Sequence, residues 1–273
     1  MTQEIKRVLV PLDAASETST AIDTAARLAA RWQVPLHGVF IEDEELIGLA
    51  GLPFARQVTL DTGLEPLTKD LVEGHLRAFA ERARRELAAA ADRHDVEWSF
   101  ETVRGPLTPN ALGGEHEFVV AGAESRPVGD HFRIASRWWS WMVIAARPFL
   151  LARRGWETGG SVLTVLRRRD RKSARALDIA AQIAGFRSGT LTVAGAPELA
   201  RAEDFTAWVS ELLEGHSLNL QTEPAATEPA KLRQRIIELD CRLLVLEAGD
   251  RDAQPNDLHE LVEQLECDVL IIR

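Results

Sequence analysis

The chain has 273 residues, of which 45% are hydrophobic and 27% charged, so it has enough apolar material for two folded domains and is not a disordered protein. Its net charge of −10 argues against a nucleic-acid partner, which requires a basic surface. The most apolar long stretch, Ile134 to Leu151, contains two arginines and a proline, so no membrane span is predicted. The first residues lack the pattern of a signal peptide, and we expect a cytoplasmic protein.

The first half of the chain shows the pattern of alternating strands and helices. Val8 to Leu12 is apolar without alternation, which is typical of a strand buried on both faces of a parallel sheet. A helix ending near Gln33 and a strand at Leu36 to Ile41 complete a strand–helix–strand crossover. Residues 42–65 begin with four acids and are predicted to form a long excursion or lid, and the Ala-, Leu-, Glu- and Arg-rich segment after them is predicted to be a helix with Pro66 in its first turn. The remaining predicted elements of this half are strands at 98–103, 117–122 and 149–152 and a helix at 134–146.

The second half repeats this order of elements. Strands are predicted at 162–166, 190–194, 218–223, 243–247 and 269–272, and helices at 173–185, 198–215, 229–239 and around Leu258 to Leu265. Sliding one half over the other aligns Val8 with Val162 and Leu12 with Leu166, which favours a duplication. We therefore predict an α/β protein with two doubly wound parallel five-stranded sheets, in domains at 1–154 and 160–273.

Two segments at predicted strand ends carry the functional hypothesis, because ligands of open parallel sheets bind beyond the carboxyl ends of the strands. Strand one ends in the sequence VPLD, which closes on Asp13, and strand four is followed by Gly122, Ser125, Ala135 and Ser136 with two and nine residues in the intervals. These segments resemble the universal stress protein family, whose members carry VPxD and a G-x2-G-x9-G-[ST] loop. The resemblance implies a Rossmann-like fold of the adenine nucleotide alpha hydrolase type, and loop amides that cradle the phosphates of ATP.

The resemblance implies a site for ATP or AMP in the first domain only, with Mg²⁺ as the one metal, accompanying the nucleotide. Two of the three loop glycines are replaced, and each replacement costs about 1 to 2 kcal/mol if the position is left-handed. Affinity would then fall roughly 30-fold to 1000-fold. A weak working site and a loop that has lost its nucleotide both stay open. The candidate binding residues are Pro11, Asp13, Ile41, Gly122, Ser125, Ala135, Ser136 and Arg137.

The second half departs further from the family pattern. Arg167 stands where Asp13 stands in the first half, and Glu247 stands in the place of Gly122. We expect no ATP site of the family type there. The basic run from Arg167 to Arg175 is interpreted as a solvated loop, with a docking site for an anion or a protein partner as the alternative.

Two further expectations concern partners. The helix with Trp138, Trp139 and Trp141 is predicted to pack on the second domain, or else to offer a surface to another protein or a lipid interface. In the resembling family, closing strands of two domains pair in a dimer, so the strands at 149–152 and 269–272 are expected to pair within this chain as an internal pseudo-dimer.

Cys241 and Cys267 are interpreted as buried free thiols, with a disulfide or a redox role as the alternative.

These observations predict a regulator in the stress response that binds ATP or AMP weakly in its first domain and is not an enzyme. The alternative is a protein-interaction scaffold of the same fold that has lost nucleotide binding.

Overall fold

The structure is a computed structural model that describes residues 5–14, 19–59, 63–105, 116–122, 147–155, 159–187, 189–225, 229–247 and 261–272. Internal contacts divide the chain into an N-terminal unit, Lys6–Ile144, and a C-terminal unit, Ala145–Arg273 together with Met1–Ile5. The strand predicted at 149–152 therefore groups with the C-terminal unit, because its described partner strand lies there.

The N-terminal unit is built on a parallel sheet. Its described strands are β1 (Arg7–Leu12), β2 (Leu36–Glu42), β5 (Trp98–Arg104) and β6 (Glu117–Gly122). They lie in the order β5-β2-β1-β6, and each neighbouring pair is parallel. The apolar residues of β1 and β2 are buried on both faces, as their lack of alternation predicted.

Two long helices, α1 (Ser19–Trp32) and α3 (Lys69–His94), cover this sheet and contact each other. The apolar residues of α1 recur at helical spacing and are buried against β1 and β6. Its last residue, Trp32, places its ring edge-on to Phe118 of β6, with ring centroids 4.9 Å apart. The chain then leaves the helix through Gln33, whose φ of 56° ends the helical geometry.

The predicted excursion contains its own small elements. These are helix α2 (Glu44–Leu49) and an antiparallel hairpin of β3 (Arg56–Thr59) and β4 (Gly63–Pro66). The prediction that Pro66 opens the long helix is wrong, since Pro66 ends β4 opposite Arg56. Thr68 caps α3 instead, and its Oγ1 accepts the N–H of Leu71 at 3.4 Å.

The C-terminal unit has a second parallel sheet with one antiparallel edge. The two segments predicted to pair are β7 (Phe149–Ala152) and β12 (Asp268–Ile272), and they do so in antiparallel orientation, with Leu151 opposite Val269. The other neighbouring strands are parallel. The order of the strands is β10-β9-β8-β11-β12-β7. The strands are β7 (Phe149–Ala152), β8 (Ser161–Leu166), β9 (Thr190–Gly195), β10 (Asn219–Pro224), β11 (Cys241–Glu247) and β12 (Asp268–Ile272).

The described helices of this unit are α4 (Arg171–Arg187), α5 (Pro197–Ala200), α6 (Phe205–Leu212) and α7 (Pro229–Glu238). The single helix predicted at 198–215 is wrong, because α5 and α6 are separate. The break places the ring of Phe205 over Gly195, where an added Cβ would lie 2.8 Å from the ring. Numbered within each unit, the parallel strands follow the order 3-2-1-4 and 3-2-1-4-5, which confirms the predicted α/β fold class.

Candidate functional site

Three of the predicted site residues lie within one residue of the same level at the carboxyl edge of the N-terminal sheet. In β1 and β2, Leu12 is opposite Phe40, so the next residues, Asp13 and Ile41, are also level. In β1 and β6, Leu9 is opposite Val119, and the same register continued by three residues brings Gly122 level with Leu12. Asp13, Ile41 and Gly122 thus stand side by side at the ends of three adjacent parallel strands.

These residues differ in what they present at the edge. The side chain of Ile41 is 1% exposed, and Pro11 is buried inside β1, so both hold the frame of the site. Asp13 and Gly122 are partly exposed. The predicted phosphate-side residues, Ser125, Ala135, Ser136 and Arg137, and the three tryptophans at 138, 139 and 141 lie outside the described residues.

The excursion after β2 packs beside this edge. A buried cluster joins α2 to α3, and the residue that follows Asp13, Ala14, packs against it. The cluster consists of Ile47, Ala50, Val72 and Leu76, with Leu46 and Leu67 at its margin. Asp43 starts α2 as its N-cap, and its Oδ1 accepts the N–H groups of Glu45 and Leu46 at 2.9 and 3.3 Å. The excursion is therefore an anchored structure next to the end of β1.

An ion-pair network that the sequence analysis missed closes the other side of the edge. Glu42 ends β2 with a buried carboxylate, and its Oε2 accepts from Arg104 Nε at 2.9 Å. Arg104 ends β5 and also lies 3.3 Å from Glu73 on α3. The N–H of Gly105 donates to the carbonyl of Glu42 at 3.1 Å. Because Arg104 neutralises Glu42, the edge carries less negative charge than the four consecutive acids suggest.

The C-terminal unit has the equivalent edge with different chemistry. Val165 of β8 is opposite Leu246 of β11, so Leu166 is level with Glu247. Glu247 therefore has the same place relative to Leu166 that Gly122 has relative to Leu12. Its Oε2 accepts the backbone N–H of Arg167 at 3.2 Å, and burial raises the pKa of its carboxyl group.

The start of α4 is also occupied by the protein's own groups. Asp170 Oδ1 accepts the N–H of Ser173 at 3.0 Å, and the Ser173 hydroxyl donates to the carbonyl of Arg168. The charge of Asp170 further raises the pKa of Glu247, so the two carboxylates lie close enough to repel each other. A phosphate placed there would meet two acidic groups and a helix amide that is already bonded.

The basic run from Arg167 to Arg175 is partly engaged within its own unit. Arg169 makes two hydrogen bonds to the carboxylate of Asp204, at 2.5 and 2.6 Å. Its guanidinium also lies 5.3 Å from the ring of Trp208. Arg167, Arg168 and Arg171 are exposed.

Within the described ranges, no group of three or more His, Cys, Asp or Glu side chains is placed to hold a metal ion. Of the helices that the structure describes, none combines the length and the apolar character needed to cross a membrane.

Comparison with known proteins finds likeness in structure alone. No protein-family model matches the chain, and no curated protein does. Among solved structures, a universal stress protein from Archaeoglobus fulgidus DSM 4304 is 12% identical, with a TM-score of 0.65 over 99% of this chain and 97% of that one. A protein provisionally called a universal stress protein, from Pseudomonas aeruginosa UCBPP-PA14, is 18% identical, with a TM-score of 0.59 over 98% of this chain and 93% of that one. A functionally unknown protein from Pseudomonas aeruginosa PAO1 is 19% identical, with a TM-score of 0.59 over 98% and 92%.

The chain therefore has the universal stress protein fold, as the VPLD segment and the loop spacing predicted. At such low identities the structural likeness establishes the fold alone. The ligand must be argued from the residues of this chain.

Proposed function

We propose that this protein is a regulator of the universal stress protein type that binds an adenine nucleotide, ATP or AMP, weakly in its N-terminal unit. The observation that carries the proposal is the placement of Asp13, Ile41 and Gly122 at three adjacent strand ends, with Asp13 level with Ile41 and Gly122 one residue away. This edge is where open parallel sheets bind their ligands.

The described part of the site suits the nucleoside. Asp13 offers a partly exposed carboxylate that accepts hydrogen bonds from sugar hydroxyl or base amino groups. Ile41 supplies a buried floor, and the excursion packed at Ala14 limits the site on one side. The phosphates, with any accompanying Mg²⁺, would follow Gly122 into the loop of Ser125, Ala135 and Ser136.

We infer a non-catalytic role from the same residues. Asp13, Ile41 and Gly122 bring one carboxylate and no nucleophile to the described edge. Glu42 is held by Arg104 in an ion pair, which leaves it poorly suited to act as a general base. Nucleotide turnover that a single side-chain substitution abolishes would contradict this role.

Titration calorimetry with ATP and with AMP tests the binding. We expect weak binding that Asp13→Ala reduces roughly 10-fold to 150-fold, because the variant loses one charged hydrogen bond of about 1.5 to 3 kcal/mol. Arg167→Ala is the matched control, since Arg167 follows the equivalent strand of the other unit, and it should leave the affinity unchanged. Absence of heat at millimolar nucleotide, from protein shown to be folded by circular dichroism, would refute the proposal.

A gain-of-function variant tests the loop separately. Restoring both family glycines with Ser125→Gly and Ala135→Gly should tighten binding roughly 30-fold to 1000-fold if both positions are left-handed. An unchanged affinity in the double variant would mean that the two positions tolerate side chains, and that loop strain does not weaken the site.

One observation favours the alternative of an interaction scaffold. The excursion exposes large apolar side chains, with Leu49 at 53%, Phe54 at 75% and Leu64 at 72%. If the scaffold role is correct, Phe54→Ser with Leu64→Ser should abolish cross-links to a partner in cells. Ile237→Ser, at a 73% exposed site of the other unit, should leave them intact.

A further inference from the structure

The two cysteines of the chain meet in one cavity of the C-terminal unit. Cys241 begins β11 and Cys267 directly precedes β12, and these strands are parallel neighbours with Leu243 opposite Asp268. Both cysteines line a cavity of about 410 Å³. They are 6% and 3% exposed, so each is buried in the protein and borders the cavity at its wall.

The geometry is that of a thiol pair. The thiol of Cys241 donates to the carbonyl of Leu243 at 3.1 Å, and each of the two thiols shifts the pKa of the other. Neighbouring strands are about 4.8 Å apart, and a disulfide requires Cα atoms roughly 4.4 to 6.8 Å apart. The register of β11 against β8 is irregular between Cys241 and Leu243, where Arg242 is the extra residue. With Arg242 left out of the pairing, Cys241 takes the position before Leu243 in the register, as Cys267 takes the position before Asp268, so the two cysteines are level on adjacent strands.

The pair is electrostatically unequal. The neighbouring Cys241 thiol lowers the pKa of the Cys267 thiol, against the opposing effects of burial and of the charge of Asp268. The Cys267 sulfur, followed by burial, raises the pKa of Cys241. The direction of these shifts makes Cys267 the more acidic thiol of the pair.

The cavity carries an excess of positive charge. Three arginines line it against two acids, Asp240 and Glu266. Arg154 pairs with Glu266, and Arg242 lies 3.4 Å from Asp240. Arg233 donates to the neutral amide of Gln264, so its positive charge is the one by which the arginines of the lining exceed the acids. A small anionic molecule is the ligand that this lining favours.

We propose that Cys241 and Cys267 form a redox-active dithiol, which small organic disulfides bearing carboxylates oxidise within this cavity. The Cys267 thiolate attacks one sulfur of the reagent, the S–S bond of the reagent breaks, and one thiolate leaves. The Cys241 sulfur, losing its proton to the departing thiolate, then attacks Cys267 Sγ and releases the second thiolate. One organic disulfide is reduced to two thiols, and the protein gains one disulfide and loses two protons and two electrons. This inference does not depend on nucleotide binding.

The test uses the full chain, oxidised glutathione as the anionic disulfide and cystamine as the cationic one. After reaction, remaining thiols are blocked with N-ethylmaleimide and the intact protein is weighed by mass spectrometry. Wild-type protein should lose two hydrogens and both alkylation sites. Cys241→Ser should stop at a mixed disulfide on Cys267, whereas Cys267→Ser should not react.

Charge selection is tested with Arg233→Gln, which should slow the reaction with oxidised glutathione roughly tenfold and speed the reaction with cystamine, because the lost charge attracts an anion and repels a cation. Arg201→Gln, an exposed arginine of the same unit outside the cavity lining, is the control and should change neither rate. Thiols of folded wild-type protein that stay fully reduced, or a Cys267→Ser variant that reacts as fast as Cys241→Ser, would overturn the proposal. Equal slowing of both reagents by Arg233→Gln would overturn the assignment of an anionic substrate.

Discussion

Replacement of Asp268 should unfold the C-terminal unit selectively, because this carboxylate joins three elements inside it. Its Oδ2 accepts from Arg187 at 2.7 Å, at the end of α4. Its Oδ1 accepts the backbone N–H groups of Arg153 and Arg154, just after β7, at 2.9 and 3.2 Å. The side chains of Arg187 and Asp268 are 2% and 1% exposed, so water does not replace a lost partner.

The expected magnitude follows from that burial. Removing one member of a buried ion pair costs about 3 to 5 kcal/mol, because the remaining charge is left unpaired. Asp268→Ala also leaves two backbone donors without their acceptor, and total stabilities of domains are only about 5 to 15 kcal/mol. Asp268→Asn keeps an acceptor for those donors, and we expect it to cost roughly 2 to 3 kcal/mol.

The pair can be separated from its surroundings by a double-mutant cycle. Adding Arg187→Met to Asp268→Asn removes the cation that paired with Asp268 and fills its volume with an apolar side chain. The double variant should therefore be more stable than Asp268→Asn alone, since apolar replacement of a buried pair is often neutral or stabilising. Glu266→Gln breaks the neighbouring exposed pair with Arg154, where Glu266 is 84% exposed, and should cost less than about 1 kcal/mol.

Urea unfolding, monitored by the hydrogen exchange of peptides from β11 and β12, measures these differences in the stability of the C-terminal unit. The midpoints should fall in the order wild type, Glu266→Gln, Asp268→Asn, Asp268→Ala, with the slope m unchanged. Asp268→Ala with the stability of Glu266→Gln would refute the reasoning, since it would mean that the buried pair adds no more than an exposed one.

Four further substitutions have signs that the structure determines. Burial raises the pKa of Glu247 above 4.5, so the stabilising effect of this group is present below that pH and is lost as the pH rises through the raised native value. Glu247→Gln should accordingly raise the urea midpoint at pH values near neutral and lose that advantage in acid. Gly160→Ala places a Cβ 2.1 Å from Arg242 Cγ at a φ of +71°, and we expect it to lower the free energy of unfolding by about 2 kcal/mol or more. Gly159→Ala, at a φ of +106° with no atom within 4 Å of the added Cβ, adds only backbone strain. Thermal unfolding should therefore show a smaller loss of stability for Gly159→Ala. Gly74→Ala, inside α3 with no atom within 4 Å of the added Cβ, should raise stability by about 0.5 to 1 kcal/mol in the same assay.

Patterns along a single segment predicted most elements, because each depends on local chemistry. The unbroken apolar run of β1 indicated a strand buried on both faces, and β1 lies inside a parallel sheet between β2 and β6. The errors arose where a competing local preference decided the outcome. Pro66 suits a first helical turn and equally suits the end of an edge strand, and the hairpin of β3 with β4 takes it.

The candidate site could be predicted from the sequence only where its residues lie at the ends of recognisable strands. Asp13 and Gly122 follow apolar strands, and the sheet register places them together. The pairing of Glu42 with Arg104 was not predictable from spacing, because it requires β2 and β5 to be neighbours. A simple signal was nonetheless present, since Glu42 and Arg104 each directly follow a predicted strand.

The two units place an acidic side chain at different positions of the equivalent sheet edge. In the N-terminal unit the strand ends present the carboxylate of Asp13 beside Gly122, where bare backbone remains for an anion to approach. In the C-terminal unit the acid has moved to the position of that glycine, and Glu247 accepts the N–H of Arg167 that follows strand β8. An internal carboxylate thus takes the hydrogen-bond donor that an external phosphate would use. Converting Arg167 to Asp alone would add a third acid to this edge, so recovery of an anion site there requires removal of Glu247 first.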